Sequence, residues 1–143
     1  MKHISEKLSN ARLEEKQGEK LTGPVRPCFH LTACNGWMND PNGFIYYRGA
    51  YHLFYQYFPF ASQWGPMHWG HAVSKDMIIW EEKPIAIFPD DKGYIFSGGG
   101  IVDENNVTGF GNKDDQPIIA MYTYHDMEGE KSGQVDYQTQ AIA

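Results

Sequence analysis

The sequence predicts an all-β protein, and three observations carry that expectation. From Val25 onward, short β-branched and aromatic runs alternate with Gly, Pro, Asn and Asp, the texture of strands punctuated by turns. The runs fall into a group of four and then a group of three. Aromatic residues make up 15% of the chain and concentrate between Trp37 and Trp80, which suits a sheet core and equally a surface for the C–H face of a sugar.

Ahead of the strands, Ser5 to about Lys20 has helix-forming composition, with Ile4, Leu8, Ala11 and Glu15 recurring at intervals of three or four. Gly18 and then Gly23-Pro24 end it. Residues 1–24 are therefore expected to be a helical appendage and linker, and residues 25–143 the β domain. Phe44–Tyr47 and Tyr51–Tyr57 flank Arg48-Gly49-Ala50 as a hairpin. His68–Ser74 turns at Lys75-Asp76 into Ile78–Glu82, completing a meander of four. Pro84–Gly93 then leads to Tyr94–Val102, Pro117–His125 and Asp136–Ala143. Two successive antiparallel groups match the radial repetition of propeller blades, but a seven-stranded β-sandwich fits the same spacing, so pattern alone leaves both open.

The 143 residues, 41% hydrophobic and 21% charged, have the composition of a globular domain. A net charge of −6 offers no broad basic surface for phosphates, so a nucleic-acid partner is not expected. Met1–Lys20 carries nine charged residues and no apolar run, which predicts neither export nor a membrane segment and makes the cytoplasm the expected location. Cys28 and Cys34 fit no disulfide or metal spacing and are expected as free thiols. His68 and His71 resemble a metal pair, yet an odd separation on a strand points them to opposite faces. No metal site is expected. Gly98-Gly99-Gly100 lacks a nucleotide-loop spacing and opens no helix, so close strand packing is the better account.

Chemistry concentrates at Asn39-Asp40-Pro41-Asn42-Gly43. The composition reads as a tight turn, with Asn and Asp bonding local backbone, Pro fixing one φ and Gly permitting a positive one. Trp37 and Met38 before it and an aromatic strand after it place a carboxylate beside bulky apolar groups, surroundings able to hold and desolvate a functional acid.

The run from Arg26 to Phe110 resembles family 32 glycoside hydrolases, the invertase, sucrose-6-phosphate hydrolase and fructanase group. The resemblance rests on Trp37-Met38-Asn39-Asp40-Pro41-Asn42-Gly43, on Tyr51–Tyr57, on Trp64–Ser74, on Phe96-Ser97-Gly98 and on Val102–Asn106. It implies a five-bladed β-propeller with a trailing β-sandwich, of which this chain supplies the first blade and an incomplete second, preceded by a short helix. It implies Asp40 as the nucleophile of a retaining reaction, and substrate contacts from Trp37, Met38, Asn39, Asp40, Gln56, Trp64, Phe96 and Ser97. It implies no cofactor and a small sugar partner: sucrose, sucrose-6-phosphate or a short fructan.

A retaining mechanism needs a second carboxyl group about 5 Å from the first. In the family that group is the Glu of a Glu-Cys pair, and a third acid stands in Arg-Asp-Pro; neither pair occurs in this sequence. The expectation is thus the N-terminal part of a β-fructofuranosidase of the sucrose-6-phosphate hydrolase kind, inactive by itself. A fructan hydrolase, a transfructosylase or a non-catalytic sugar-binding remnant are the alternatives. The chain also departs from the usual family pattern at Ala33-Cys34-Asn35, at Gly99-Gly100 and at Tyr124.

Overall fold

Alternation of side chains along the strands sends successive residues to opposite faces, and the central strands of the first sheet are covered on both. The computed structural model describes residues 2–18, 20–112 and 114–143. Helix α1 (Lys2–Gln17) precedes strands β1 (Trp37–Tyr47), β2 (Ala50–Phe58), β3 (His68–Ser74) and β4 (Glu81–Ile87). Strands β5 (Tyr94–Val102) and β6 (Ile118–His125), the short helix α2 (Met127–Ser132) and strand β7 (Gln138–Ile142) follow.

The strands form two antiparallel meanders, in the orders β1-β2-β3-β4 and β5-β6-β7. Each sheet is finished before the next begins, and β1 lies beside β5. Successive strands never cross between the sheets, as those of a Greek-key sandwich do, so the topology follows the radial repetition of blades.

Alternation splits β2 and β3 cleanly. Tyr55, Tyr57 and Ala72 turn to one face, where they meet Ile85 and Ala11 of α1. Phe54 and Trp69 turn to the other, where they meet Ile95, Ala120, Tyr122 and Tyr124 of the second sheet. Trp69 has no exposed surface. The two clusters sandwich the first sheet between a helix and its neighbouring blade.

Helix α1 occupies Lys2–Gln17 rather than Ser5–Lys20, because Gly18 already breaks it. Of its expected apolar face, Ala11 and Glu15 are buried, while the Ile4 side chain lies outside the described residues. The helix covers the edge strand. Ile85 of β4 donates its N–H to Glu15 Oε2 at 3.1 Å and offers its carbonyl to Arg12 Nη2 at 3.4 Å. Side chains of α1 thus occupy backbone groups that an open sheet edge would present to another chain.

Two strand expectations are corrected. The fourth strand is Glu81–Ile87, not Ile78–Glu82. Ser74 Oγ and Asp76 Oδ1 accept from the N–H groups of Asp76, Met77, Ile78 and Ile79, so the segment expected to pair is held as a loop by its own side chains. Pro84, expected in a connection, is carried inside β4 because it lies on an edge strand, within the irregularity between the Trp69–Ile87 and His71–Lys83 pairs. The first strand begins at Trp37, seven residues before the expected Phe44, and takes in the whole Asn39–Gly43 segment. The hairpin that follows matches expectation: Tyr47 pairs with Ala50 across Arg48-Gly49, both at positive φ.

The histidines of β3 face different surroundings. His71 stacks on Phe54 and places Nε2 3.1 Å from His52 Nδ1, whereas His68 lies near Phe60 with Nδ1 2.8 Å from the Pro66 carbonyl. Among the described residues no three His, Cys, Asp or Glu side chains converge as a metal site requires, and no helix is long and apolar enough to cross a membrane. Cys28 and Cys34 are unpaired thiols.

Burial gives the fold a pH dependence. His68 is 4% exposed, and desolvation pushes its titration down to about 4 from an ordinary 6.5. The folded value is depressed, so the unfolded chain binds more protons between those two values. Stability from this group is complete above pH 6.5 and is lost as pH falls toward 4, by up to about 3 kcal/mol. Urea midpoints should drop between pH 7 and pH 5, and His68→Phe should shrink the drop.

Candidate functional site

The site is built on two interruptions of strand pairing. In β1, Met38 pairs with Tyr57 and Pro41 with Tyr55, so Asn39 and Asp40 together oppose the single residue Gln56. This is a bulge, and bulges re-aim side chains. The tight turn expected for Asn39–Gly43 is therefore corrected to a bulged strand. Pro41 brings no N–H to the ladder, and a second irregularity between Asn42 and Ile45 takes up Gly43, whose φ is +48°. Asn42 is buried and bonds the local backbone as expected, its Nδ2 donating to the Asp40 carbonyl at 3.2 Å, while its Oδ1 accepts the Gly98 N–H at 3.0 Å.

In β5, Phe96 pairs with Thr123 and Gly98 with Tyr122, which leaves Ser97 unopposed. Freed from the ladder, Ser97 donates its hydroxyl to Asp40 Oδ2 at 3.0 Å. The residues on either side are tied to the first sheet as well. Trp69 Nε1 donates to the Phe96 carbonyl at 3.1 Å, and the Gly98 N–H is the one held by Asn42. A Cβ on Gly98 would collide with the Met121 carbonyl and lie 2.7 Å from Tyr122 Cα. Close strand packing, expected for the glycine run, is thus met at Gly98; Gly100 approaches Ile45, and Gly99 faces open space.

Asp40 is exposed, so the expected desolvation of its carboxylate by Trp37 and Met38 does not occur. The strand alternation explains why. Trp37 and Asn39 share one face, where Trp37 Nε1 donates to Asn39 Oδ1 at 3.0 Å, while Met38 packs on the other against the Ala11–Ile85 cluster. Met38 is not brought to the site. Gln56 is 2% exposed, and its Nε2 is a buried donor with no protein partner among the described residues. Such an orphan is costly unless something outside the chain accepts from it.

Trp64 lies in the connection between β2 and β3, 45% exposed. Its ring is 6.4 Å from Phe96 and 5.9 Å from Tyr94. Phe96 in turn stacks on His125, with centroids 4.2 Å apart and planes within 14°. His125 is buried, with Glu130 Oε2 3.0 Å from Nε2 and Gln138 Nε2 2.9 Å from Nδ1. Sequence reasoning missed this histidine. The only cue was Asp126 after it, which caps the six-residue α2 that delivers Glu130.

Residues 30–143 match the family model described as the glycosyl hydrolases family 32 N-terminal domain. The chain belongs to glycosyl hydrolase family 32. It is 55% identical over 112 residues to the levanase of Bacillus subtilis, covering 78% of this chain and 16% of that protein. It is 52% identical over 98 residues to the sucrose-6-phosphate hydrolase of Zymomonas mobilis, covering 66% of this chain and 19% of that one. The crystal structure of exo-inulinase from Aspergillus awamori superposes with a TM-score of 0.72 at 42% identity, over 85% of this chain and 25% of that one. The chain spans about a quarter or less of the length of these relatives.

Membership in family 32 makes the two meanders early blades of a five-bladed propeller. Solved family structures hold sugars, among them fructose in the Schwanniomyces occidentalis enzyme and sucrose in a variant of the Bombyx mori one. The departures from the family pattern noted above have structural counterparts. Asn35 accepts the Tyr57 hydroxyl at 2.7 Å, and Tyr124 donates to Asp90 at 2.9 Å.

Because Gly98 touches backbone rather than a flexible side chain, Gly98→Ala should cost about 1–3 kcal/mol. It should also break the Ser97–Asp40 contact. Thermal melting would register the first effect, and the amide shifts of Ser97 and Asp40 the second.

Proposed function

We propose that this chain forms the nucleophile-bearing, fructosyl-holding part of a retaining β-fructosidase. The observation that carries the reading is the bulge that turns Asp40 out of the ladder and places it against Ser97, opposite the orphaned Gln56 amide. Ser97 engages Oδ2 alone, which fixes the carboxylate's rotation and leaves Oδ1 to attack the anomeric carbon of a fructofuranosyl unit. The C–O bond to the leaving group breaks as the ester to Asp40 forms, and water later cleaves that ester. Asn39, oriented by Trp37, and Gln56 supply amide donors to sugar hydroxyls, while Phe96 and Trp64 offer ring faces to C–H groups.

Protonation of the leaving group requires a second carboxyl group about 5 Å away. The Glu-Cys and Arg-Asp-Pro pairs that carry the family's other acids are absent from the 143 residues. The chain alone should therefore bind a fructosyl group without turning it over. Levanase, exo-inulinase and sucrose-6-phosphate hydrolase relatives share a fructosyl donor by name, and that shared unit is the substrate class proposed.

Grafting residues 30–143 in place of the matching stretch of the Bacillus subtilis levanase supplies the remaining blades. That chimera should hydrolyse sucrose or levan. Asp40→Asn should lower kcat by about 10³-fold or more, whereas Ser97→Ala, losing one hydrogen bond, should lower it only about tenfold. Near-normal hydrolysis by the Asp40→Asn chimera refutes the nucleophile assignment.

A further inference from the structure

Asn35 stands just ahead of β1, at one of the positions where the chain departs from the usual family pattern, and is 1% exposed. An amide buried to that extent is costly unless its groups are paired. All four of its hydrogen-bonding positions are used. Nδ2 donates to the Glu14 carbonyl of α1 at 3.1 Å and to the Pro59 carbonyl just past β2 at 3.3 Å. Oδ1 accepts the Tyr57 hydroxyl at 2.7 Å and the Cys34 thiol at 3.4 Å. One side chain therefore ties together α1, the approach to β1 and the end of β2. The next residue leaves no slack: Gly36 has a φ of +71°, and a Cβ there would collide with the Phe58 carbonyl.

These ties converge on the bulge that carries Asp40. The Met38–Tyr57 pair bounds that bulge on one side, and Tyr57 is the residue whose hydroxyl Asn35 holds. Trp37, two residues after Asn35, pairs with Phe58 and donates its indole N–H to Asn39 Oδ1. Asn35 thus restrains the bulge from both strands, through Gly36 and Trp37 along β1 and through Tyr57 and Pro59 along β2. Burial, and after it the Glu15 carboxylate, push the Tyr57 phenol well above its ordinary range, so it stays a donor at neutral pH. Helix α1 is the third anchor. It precedes residues 30–143, the stretch that matches the family model, and is docked by buried Ala11 and by the bonds of Glu15 and Arg12 to Ile85. A fully paired buried network fixes one geometry where apolar contacts alone tolerate several.

We propose that Asn35 is a positioning residue for Asp40: it locks the start of β1 against the end of β2 and the last turns of α1, and so sets where the bulge presents the carboxylate. It meets no substrate itself. The inference rests on the fructosidase reading of Asp40 and adds to it a control that reaches the nucleophile from an element ahead of the stretch the family model covers. The competing account, in which Asn35 only stabilises the fold, predicts a loss of stability with no change in the chemical step.

The test uses a levanase chimera carrying residues 2–143, so that α1 accompanies Asn35, and the 143-residue chain itself for amide shifts. Tyr57→Phe removes only the hydroxyl and keeps the ring in the core. It should lower kcat on sucrose about three- to tenfold and leave KM within about twofold, because a slightly misplaced nucleophile slows bond making more than it weakens binding. Asn35→Ala should act in the same direction and further; if it does not fold, Tyr57→Phe decides alone. Ile85→Val, in the same core cluster but outside the bonds of Asn35, should lower the melting temperature with kcat within about twofold. In the chain itself, Tyr57→Phe should move the amide signals of Asn39, Asp40 and Ser97, and Ile85→Val should not. A kcat within about twofold of the parent for Tyr57→Phe and Asn35→Ala alike, with a lower melting temperature, overturns the proposal, as does a change confined to KM. An unaltered chimera that fails to cleave sucrose overturns the fructosidase reading instead. The amide signals then decide for Asn35: movement at Asn39 and Asp40 sustains it as the clamp of the bulge, and their constancy overturns it.

Discussion

Everything at the candidate site depends on how residues 96–98 of β5 are fastened to the first sheet. The Phe96 carbonyl takes the Trp69 indole N–H, the Ser97 hydroxyl reaches Asp40, and the Gly98 N–H reaches Asn42. Three consecutive residues thus make three bonds across a seam between separate sheets. Trp69 is fully buried, so its donor has little alternative to the Phe96 carbonyl and the bond persists in a low-dielectric setting. Were the seam to slip by one residue, alternation would turn Ser97 away from Asp40 and bring a neighbour in its place. The register of the site is therefore set by a buried indole and a buried amide, neither of which meets substrate in the reading offered above.

The same seam explains how an exposed carboxylate can be well positioned. Asp40 gains no rigidity from burial, and its one side-chain bond is to a serine on a different sheet. What restrains it is the backbone: a bulge bounded by the Met38–Tyr57 and Pro41–Tyr55 pairs, with Pro41 limiting φ immediately after the acid. On the reading proposed above exposure is useful, since a nucleophile must be approached from outside the sheet. Ser97 and the strand supply orientation, and the open side supplies access.

The legibility of this arrangement in the sequence was uneven, and the reasons are physical. Strand texture and grouping were plain, because strands covered on both faces, as Phe54, Tyr55, Trp69 and Ala72 are, read as dense aromatic and apolar runs between turn residues. The Asn39–Gly43 segment misled as to structure, since Pro, Asn and Gly favour turns and bulges alike; what separates the two is pairing with Tyr55 and Tyr57, a tertiary fact. Ile78 and Ile79 likewise looked like strand residues, and only the side chain of Asp76 reveals that their N–H groups are already engaged. Gln56 entered through family resemblance, and the register opposite Asn39 and Asp40 now supplies its physical reason. His125 had no cue beyond the capping Asp126 beside it, because stacking on Phe96 joins residues on adjacent strands whose register is a tertiary fact.

The division of labour within the site follows from propeller geometry. Blades meet around an axis, so each can present only the inner ends of its first strands to a common centre. Here β1 presents Asn39 and Asp40, and β5 presents Ser97, each through a bulge at the point where its strand approaches the seam. A retaining hydrolase needs its two carboxyl groups on opposite sides of one bond, about 5 Å apart. Adjacent strands bonded across a seam place their groups at hydrogen-bond distance instead, as Ser97 and Asp40 show at 3.0 Å. Neighbouring blades are therefore suited to orienting a nucleophile, and a proton donor on the far side of the sugar is best supplied from across the axis. On the reading proposed above, bond making falls to these two sheets, while leaving-group protonation calls for a carboxyl group placed where neither sheet reaches.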